Sequence, residues 1–364
     1  MISKNINLKP LSPDGRVTKK VVFQALQALQ DKKKQFVSIC SYGVKGADGK
    51  FSEEATTHAL IQLLKDGLEI NATVDSCNTT VLQVACLSKR FEVAKYLIEQ
   101  GAEINTMTTE GSGYVAKTPL QHAIQNNHEP LILLLLEKGA DVNTRNFNKE
   151  TILHMALRNL KNKGVEVNPK KIIQELLAKN AKVNEADARG ATCLYTACEM
   201  GELDVVQWLV AKKADVNGFG KYGNPPLFAA VFQGNVEVVR FLLDNGANPK
   251  PQEPQTENKN GSIDIGLENN WETPLSIAVW KPNSEMIKLL HAKGADINRK
   301  NKYQDAPLHI AARQGDLETV KLLIELGADP FIKNRDEKTA AEVARAKGYD
   351  EMAVYLEGLP KSNL

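Results

Sequence analysis

The sequence predicts an all-α solenoid of helix-turn-helix units with projecting loops. Three observations carry that expectation. A six-residue phrase recurs as TPLQHA at 118–123, TILHMA at 151–156, TCLYTA at 192–197, TPLSIA at 273–278 and APLHIA at 306–311. A second phrase follows the leucine of most copies by 19 residues, as in GADVN at 139–143, GADIN at 294–298 and GADP at 327–330. Finally, the anchors Leu82, Leu120, Leu153, Leu194, Leu227, Leu275, Leu308 and Ala341 are separated by 38, 33, 41, 33, 48, 33 and 33 residues, so the base period is 33.

The first 36 residues read as a basic capping helix. Val17, Val21, Val22, Ala25, Leu26 and Leu29 recur at helical spacing, with Lys19, Lys20 and Lys32 to Lys34 around them. Residues 1–50 hold ten Lys plus Arg against three Asp, so this end carries +7 and the remainder −5 of a net +2. Terminal units of a stack need a polar outer face, which the lysines supply; attraction to an acidic partner is the functional alternative. Residues 37–74 read as a degenerate first repeat ending in GLEIN at 67–71. From 75 to 358 the chain is an array of about eight repeats, and 359–364 form a tail.

Within a unit, Thr118 is suited to cap a helix because its oxygen accepts an orphan backbone N–H, and Pro119 is suited to the first turn because it has no N–H to lose. Leu120, Ala123 and Ile124 fall on one helical face, and Leu133 to Leu136 begin the apolar stripe of a second helix that stops at Gly139. Asn143 suits the turn that follows. Such a hairpin is apolar on both sides and is stable only when neighbours stack on it, which implies one elongated array.

A period of 33 with the Thr-Pro-Leu-His-x-Ala phrase resembles the ankyrin repeat family. The resemblance covers about 75–358. It implies an all-α ankyrin-repeat solenoid that acts as a protein–protein interaction scaffold or adaptor, binding its partner through loop tips and the first-helix surface on the concave side. The places with no structural demand in that pattern lie just before the phrase and four to six residues beyond its leucine. Carried onto this sequence, they give Tyr114, Phe147, Arg189, Met200, Lys221, Tyr222, Phe232, Trp280, Lys281, Lys302, Tyr303 and Arg313 as partner-binding candidates, with Trp271 where a turn glycine is usual. Aromatics make up 6% of the chain, so Tyr222, Phe232, Trp271, Trp280 and Tyr303 are a local concentration, and large aromatics beside Lys or Arg are common interface anchors. The resemblance also gives His154 and His309 a structural role linking adjacent loops.

Three departures from the period are loop insertions. Thr108 to Lys117 is five residues longer than the regular interval, the stretch 249–270 exceeds it by fifteen and carries three prolines near its start, and Leu157 to Asn168 adds eight between two helices.

Catalytic, cofactor and metal readings are weak, and the expectation is a chain that is not an enzyme and uses no cofactor. Cys40 with His58 is the sole Cys–His pair outside the clear repeats, and it underlies an alternative in which residues 1–70 hold an enzyme site and the repeats recruit substrate. GVKGADGKF at 43–51 fails as a phosphate loop, because its first glycine is a residue too far from Gly49-Lys50 and Phe51 stands where Ser or Thr should hold magnesium. The 5 cysteines are odd in number and lack CxxC spacing, which predicts reduced thiols. No apolar run approaches the ~20 residues of a membrane span. The start lacks the core of a secretory signal, and no nucleic-acid motif is present. The expected state is therefore a cytoplasmic monomer without a transmembrane segment that binds protein and not nucleic acid. A third reading, a bacterial effector working in a host cytosol, rests on composition alone.

Overall fold

In the computed structural model, threonine caps set the beginnings of most first helices. Thr80, Thr118, Thr151, Thr192, Thr273 and Thr339 each accept the backbone N–H three residues on. In four of them the side chain at that position, Gln83, Gln121, His154 or Glu342, reaches back to the cap's own N–H. The structure describes residues 19–42, 44–45, 51–108, 117–161, 168–218, 220, 223–250, 273–301 and 303–360.

The described chain is helical. It opens with α1 (Lys19–Tyr42) and α2 (Glu53–Lys65), joined through a short antiparallel pairing of β1 (Val44–Lys45) with β2 (Phe51–Ser52). Eight hairpins follow, each a first helix of two turns and a somewhat longer second helix. They are α3 (Val81–Leu87) with α4 (Phe91–Glu99), α5 (Pro119–Gln125) with α6 (Glu129–Glu137), and α7 (Ile152–Arg158) with α8 (Pro169–Ala178). Next come α9 (Cys193–Met200) with α10 (Leu203–Ala211), α11 (Pro226–Gln233) with α12 (Val236–Asp244), and α13 (Pro274–Trp280) with α14 (Ser284–Ala292). The last are α15 (Pro307–Gln314) with α16 (Leu317–Glu325) and α17 (Ala340–Ala346) with α18 (Asp350–Glu357). Two compact units result, Met1–Lys182 and Val183–Leu364.

In each unit, first helices pack on first helices and second on second: α3 lies beside α5 and α4 beside α6, and likewise α13 beside α15 and α12 beside α14. Every anchor leucine from Leu82 to Leu308 is buried, as the stacking argument requires. The N-terminal pair follows the same rule, with α1 beside α3 and α2 beside α4. Helix α1 runs unbroken across residues 36 and 37, so the first-helix place of the degenerate unit is taken by this long helix, anchored by the buried Phe36.

The second phrase works through its glycine and its asparagine. Gly101, Gly139, Gly246, Gly294 and Gly327 stand in the left-handed region with φ from 85° to 93° and end the second helices. After α8 and α10 the same conformation is forced on Asn180 (φ 62°) and Lys213 (φ 68°), whereas α18 ends at Gly358 with φ −76°. Because a β-carbon in that region costs roughly 1–2 kcal/mol, Lys213→Gly is expected to stabilise the protein by about 1 kcal/mol, read as a higher urea midpoint at unchanged m-value.

The asparagine is not confined to its own turn. In the first unit Asn71, Asn105 and Asn143 each accept, through Oδ1, the backbone N–H of Glu103, Asp141 and Lys182 in the next loop, at 2.8–2.9 Å. Asn184, Asn217 and Asn298 do the same for Asp215, Asn248 and Asp329 in the second. Asn105, Asn184 and Asn217 also donate Nδ2 to the carbonyl of Gly139, Lys213 and Gly246. Asn71 thus ties the GLEIN loop into the ladder.

Candidate protein-binding face

An α-helix turns 100° per residue, so the residue four beyond the anchor leucine lies about 40° from it and the residue five beyond about 140°. The structure follows this arithmetic. The fourth place (Cys86, Ile124, Leu157, Cys198, Val231, Val279, Ala312) is buried throughout, so the face expected to span four to six residues beyond the leucine is narrower than the pattern implied. The fifth place (Leu87, Gln125, Arg158, Glu199, Phe232, Trp280, Arg313) is exposed in all seven. In each of the two units these side chains lie on the exposed edge of the first helices.

The sixth place has a structural task that sequence reasoning missed. Asn126 donates Nδ2 to the carbonyl of Cys86 and Asn159 to that of Ile124, both at 2.8 Å. Lys281 donates Nζ to the Phe232 carbonyl at 2.6 Å, and Gln314 donates Nε2 to the Trp280 carbonyl at 2.8 Å. Each adds a donor to a carbonyl at the end of the preceding first helix, and those of Cys86 and Ile124 also accept the turn N–H of Lys89 and Asn127. Asn, Lys and Gln share this task, while Ser88 and Gln233 occupy the same place at the ends of α3 and α11. Met200, half-buried at that place, has no such donor to offer.

Phe232 and Trp280 stand on the neighbouring helices α11 and α13 and are 45% and 56% exposed. Phe228 and Phe232 stack one helical turn apart, rings 5° from parallel with centroids 6.4 Å apart. Lys281 Nζ lies 3.7 Å from the centroid of the Phe232 ring, a cation–π contact that holds the lysine stem along the aromatic edge.

The arginines on the face are held by carboxylates from the loop tips. Arg313 pairs at 2.7 Å with the buried Asp305, which also accepts Nδ2 of Asn334 at 2.9 Å. Arg158 pairs with the buried Glu150 in the same register. Arg189 pairs with Asp187 at 3.3 Å. Burial opposes ionisation of Asp187, but the N–H groups of Ala191 and Arg189 and then the guanidinium outweigh it and hold the carboxyl below its ordinary value.

At the tips, the residue seven before the anchor organises the turn. Asp187 accepts the N–H of Arg189 and Ala191, and Asn301 those of Tyr303 and Asp305. That bonding leaves Tyr303 53% exposed. Phe147, in the corresponding tip of the first unit, is 73% exposed. Tyr114, Lys221, Tyr222, Trp271 and Lys302 lie outside the described residues, as does most of the glycine-rich run 43–51.

The phrase histidines face inward. His309 joins its Nε2 to the Lys338 carbonyl at 3.0 Å, and its Nδ1 accepts the Ala306 N–H, while His154 Nδ1 engages Thr151. Burial, more than any charge, lowers the His309 pKa. Tyr195 takes the histidine place in α9, and its ring packs against Gly220 so closely that a β-carbon there would overlap it. Burial pushes the Cys86 thiol up to about 12 and raises that of Cys198 as well, which suits packing and not nucleophilic attack. His58 is exposed, and the side chain of Cys40 is outside the described residues. Among the described residues no cluster of His, Cys, Asp or Glu could hold a metal ion, and no helix is long and apolar enough to cross a membrane.

Models of ankyrin repeats match residues 77–106, 120–167, 163–253 and 259–358. The chain belongs to the ankyrin repeat family. Among solved structures, the human ASB11 ankyrin repeat domain superimposes with a TM-score of 0.53 at 26% identity, covering 67% of this ankyrin chain and all of that domain. The human transient receptor potential cation channel subfamily A member 1 is 32% identical over 145 residues, 39% of this chain and 12% of the channel. The Drosophila melanogaster neurogenic locus Notch protein is 32% identical over 114 residues, 31% of this chain and 4% of its own length. Mouse palmitoyltransferase ZDHHC13 is 33% identical over 91 residues, 24% and 14% of the two chains. The ankyrin chain therefore matches only a small part of each of these relatives. Ankyrin repeats are protein–protein interaction modules, and that general role is the one the likeness supports.

Proposed function

We propose that this ankyrin protein is a scaffold or adaptor that binds a partner protein through the exposed edge of its first helices and the adjoining loop tips. The observation that carries the reading is the pair Phe232 and Trp280. Two large aromatics occupy the exposed fifth place on adjacent helices whose other apolar side chains are largely buried. Leaving them in water forgoes stabilisation that a partner's apolar surface would recover, and such anchors dominate interfaces. Tyr303 at a tip of the same unit extends this chemistry, while Arg189, Lys281 and Arg313 supply directed polar contacts already fixed in place; Phe147 offers an exposed aromatic on the first unit by itself.

The experiment is affinity capture with the intact chain as bait, followed by titration of the recovered partner. Phe232→Ala and Trp280→Ala are each expected to weaken binding by about 2 kcal/mol, roughly thirtyfold, with little change in melting temperature. Unchanged affinity in the double variant would remove these residues from the interface.

A further inference from the structure

Charge is distributed unequally between the two helix layers of the Val183–Leu364 unit. All five second helices there begin with carboxylates in the first turn: Asp204, Glu237, Glu285, Glu318 and Asp350 with Glu351. Each complements the positive end of its helix dipole, and Glu285, Glu318 and Asp350 also pair with Arg240, Lys321 and Arg345. Of the five first helices, α9, α11, α13 and α15 have no acidic residue in their first turns, and α17 has Glu342 there. At the far ends of these four first helices the charged residues are Glu199, Lys281 and Arg313.

Lys281 is the decisive one. Its ammonium is engaged by the Phe232 carbonyl and the Phe232 ring, neither of which carries a formal charge to cancel its own. Arg313 differs, because buried Asp305 already compensates it. The positive charge thus lies over the exposed Phe232 ring, on the residue that follows the exposed Trp280. A carboxylate would be attracted to the edge at Lys281.

We infer that the Phe232–Lys281–Trp280 edge accepts an acidic linear segment of a partner protein, its apolar side chains on the two rings and a carboxylate at Lys281. This rests on the binding face proposed above and names the partner's chemistry. Packed helices are about 8–10 Å apart, and a chain in the polyproline-II form advances about 3.1 Å per residue with about three residues per turn, so neighbouring anchors would be met by apolar residues three apart on one face of it. The carboxylate falls between or just after them.

The test is selection of a random dodecapeptide phage library on the full chain, with Phe232→Ala/Trp280→Ala, checked for an unchanged melting temperature, as the comparison bait. Enriched peptides are expected to carry net negative charge and two apolar residues three apart. Synthesised with a fluorescein label, they should bind the double variant at least tenfold more weakly and lose affinity as salt rises. Enriched peptides that are neutral or basic, yet still depend on the two aromatics, would overturn the acidic partner and keep the face. Peptides that bind the double variant as well as the wild type would overturn the face itself. Absence of enrichment would overturn recognition of a linear segment, leaving the folded-partner titration to judge the face.

Discussion

Leu308→Asp is expected to unfold a block of the second unit and not a single helix. Leu308 is buried on α15, which packs against α13, α16 and α17. The substitution forfeits about 1.5–3 kcal/mol of apolar burial. An unpaired buried carboxylate adds several kcal/mol more. Because each repeat is stable only against its neighbours, loss of α15 deprives the flanking hairpins of their partners too. Circular dichroism should show reduced helix content and a melting transition that is lower or split. Glu318→Ala, on an exposed side chain of α16, should leave both unchanged. A wild-type melt for Leu308→Asp would mean that the leucine register is not the stacking register.

Acid should weaken the first unit before most carboxylates protonate. His122 is buried on α5, and burial, assisted by the nearby charge of Lys117, lowers its pKa to about 4. A histidine with a folded pKa below its unfolded value of about 6.5 binds its proton more readily when unfolded. Its contribution is therefore complete above pH 6.5 and is lost as pH falls toward 4. The difference corresponds to about 3 kcal/mol. His309 is shifted in the same direction, so it adds to the loss in the second unit. Urea unfolding at pH 7.5 and pH 4.5 should expose the decline, and His122→Leu should flatten it in the first unit. An equal decline in His122→Leu would place the acid sensitivity elsewhere.

The repeat was legible because its signals are local. Capping threonines, anchor leucines and left-handed glycines act within a turn or two of their own position, and the caps at Thr118 and Thr151 and the stop at Gly139 appear where their residue types predict. The fifth-place edge was legible in part, since helical geometry alone separates buried Val231 from exposed Phe232. The sixth-place donors were not. Asn126, Lys281 and Gln314 share no residue type, and their acceptors are backbone carbonyls 34–49 residues away, which a sequence does not mark. The pairing of Arg313 with Asp305 was hidden for a similar reason: charges near a loop read as solvated, whereas the fold buries the aspartate. Likewise, the reach of Asn71 to Glu103 becomes meaningful only once adjacent loops are brought together.

Hydrogen–deuterium exchange of the chain alone and saturated with its captured partner tests the binding face most directly. Protection is expected at the ends of the first helices and the tips beside them, around residues 229–234, 278–282, 301–305 and 311–315. Protection confined to the second helices α10, α12, α14 and α16, with the first-helix ends exchanging as in the free chain, would contradict the account.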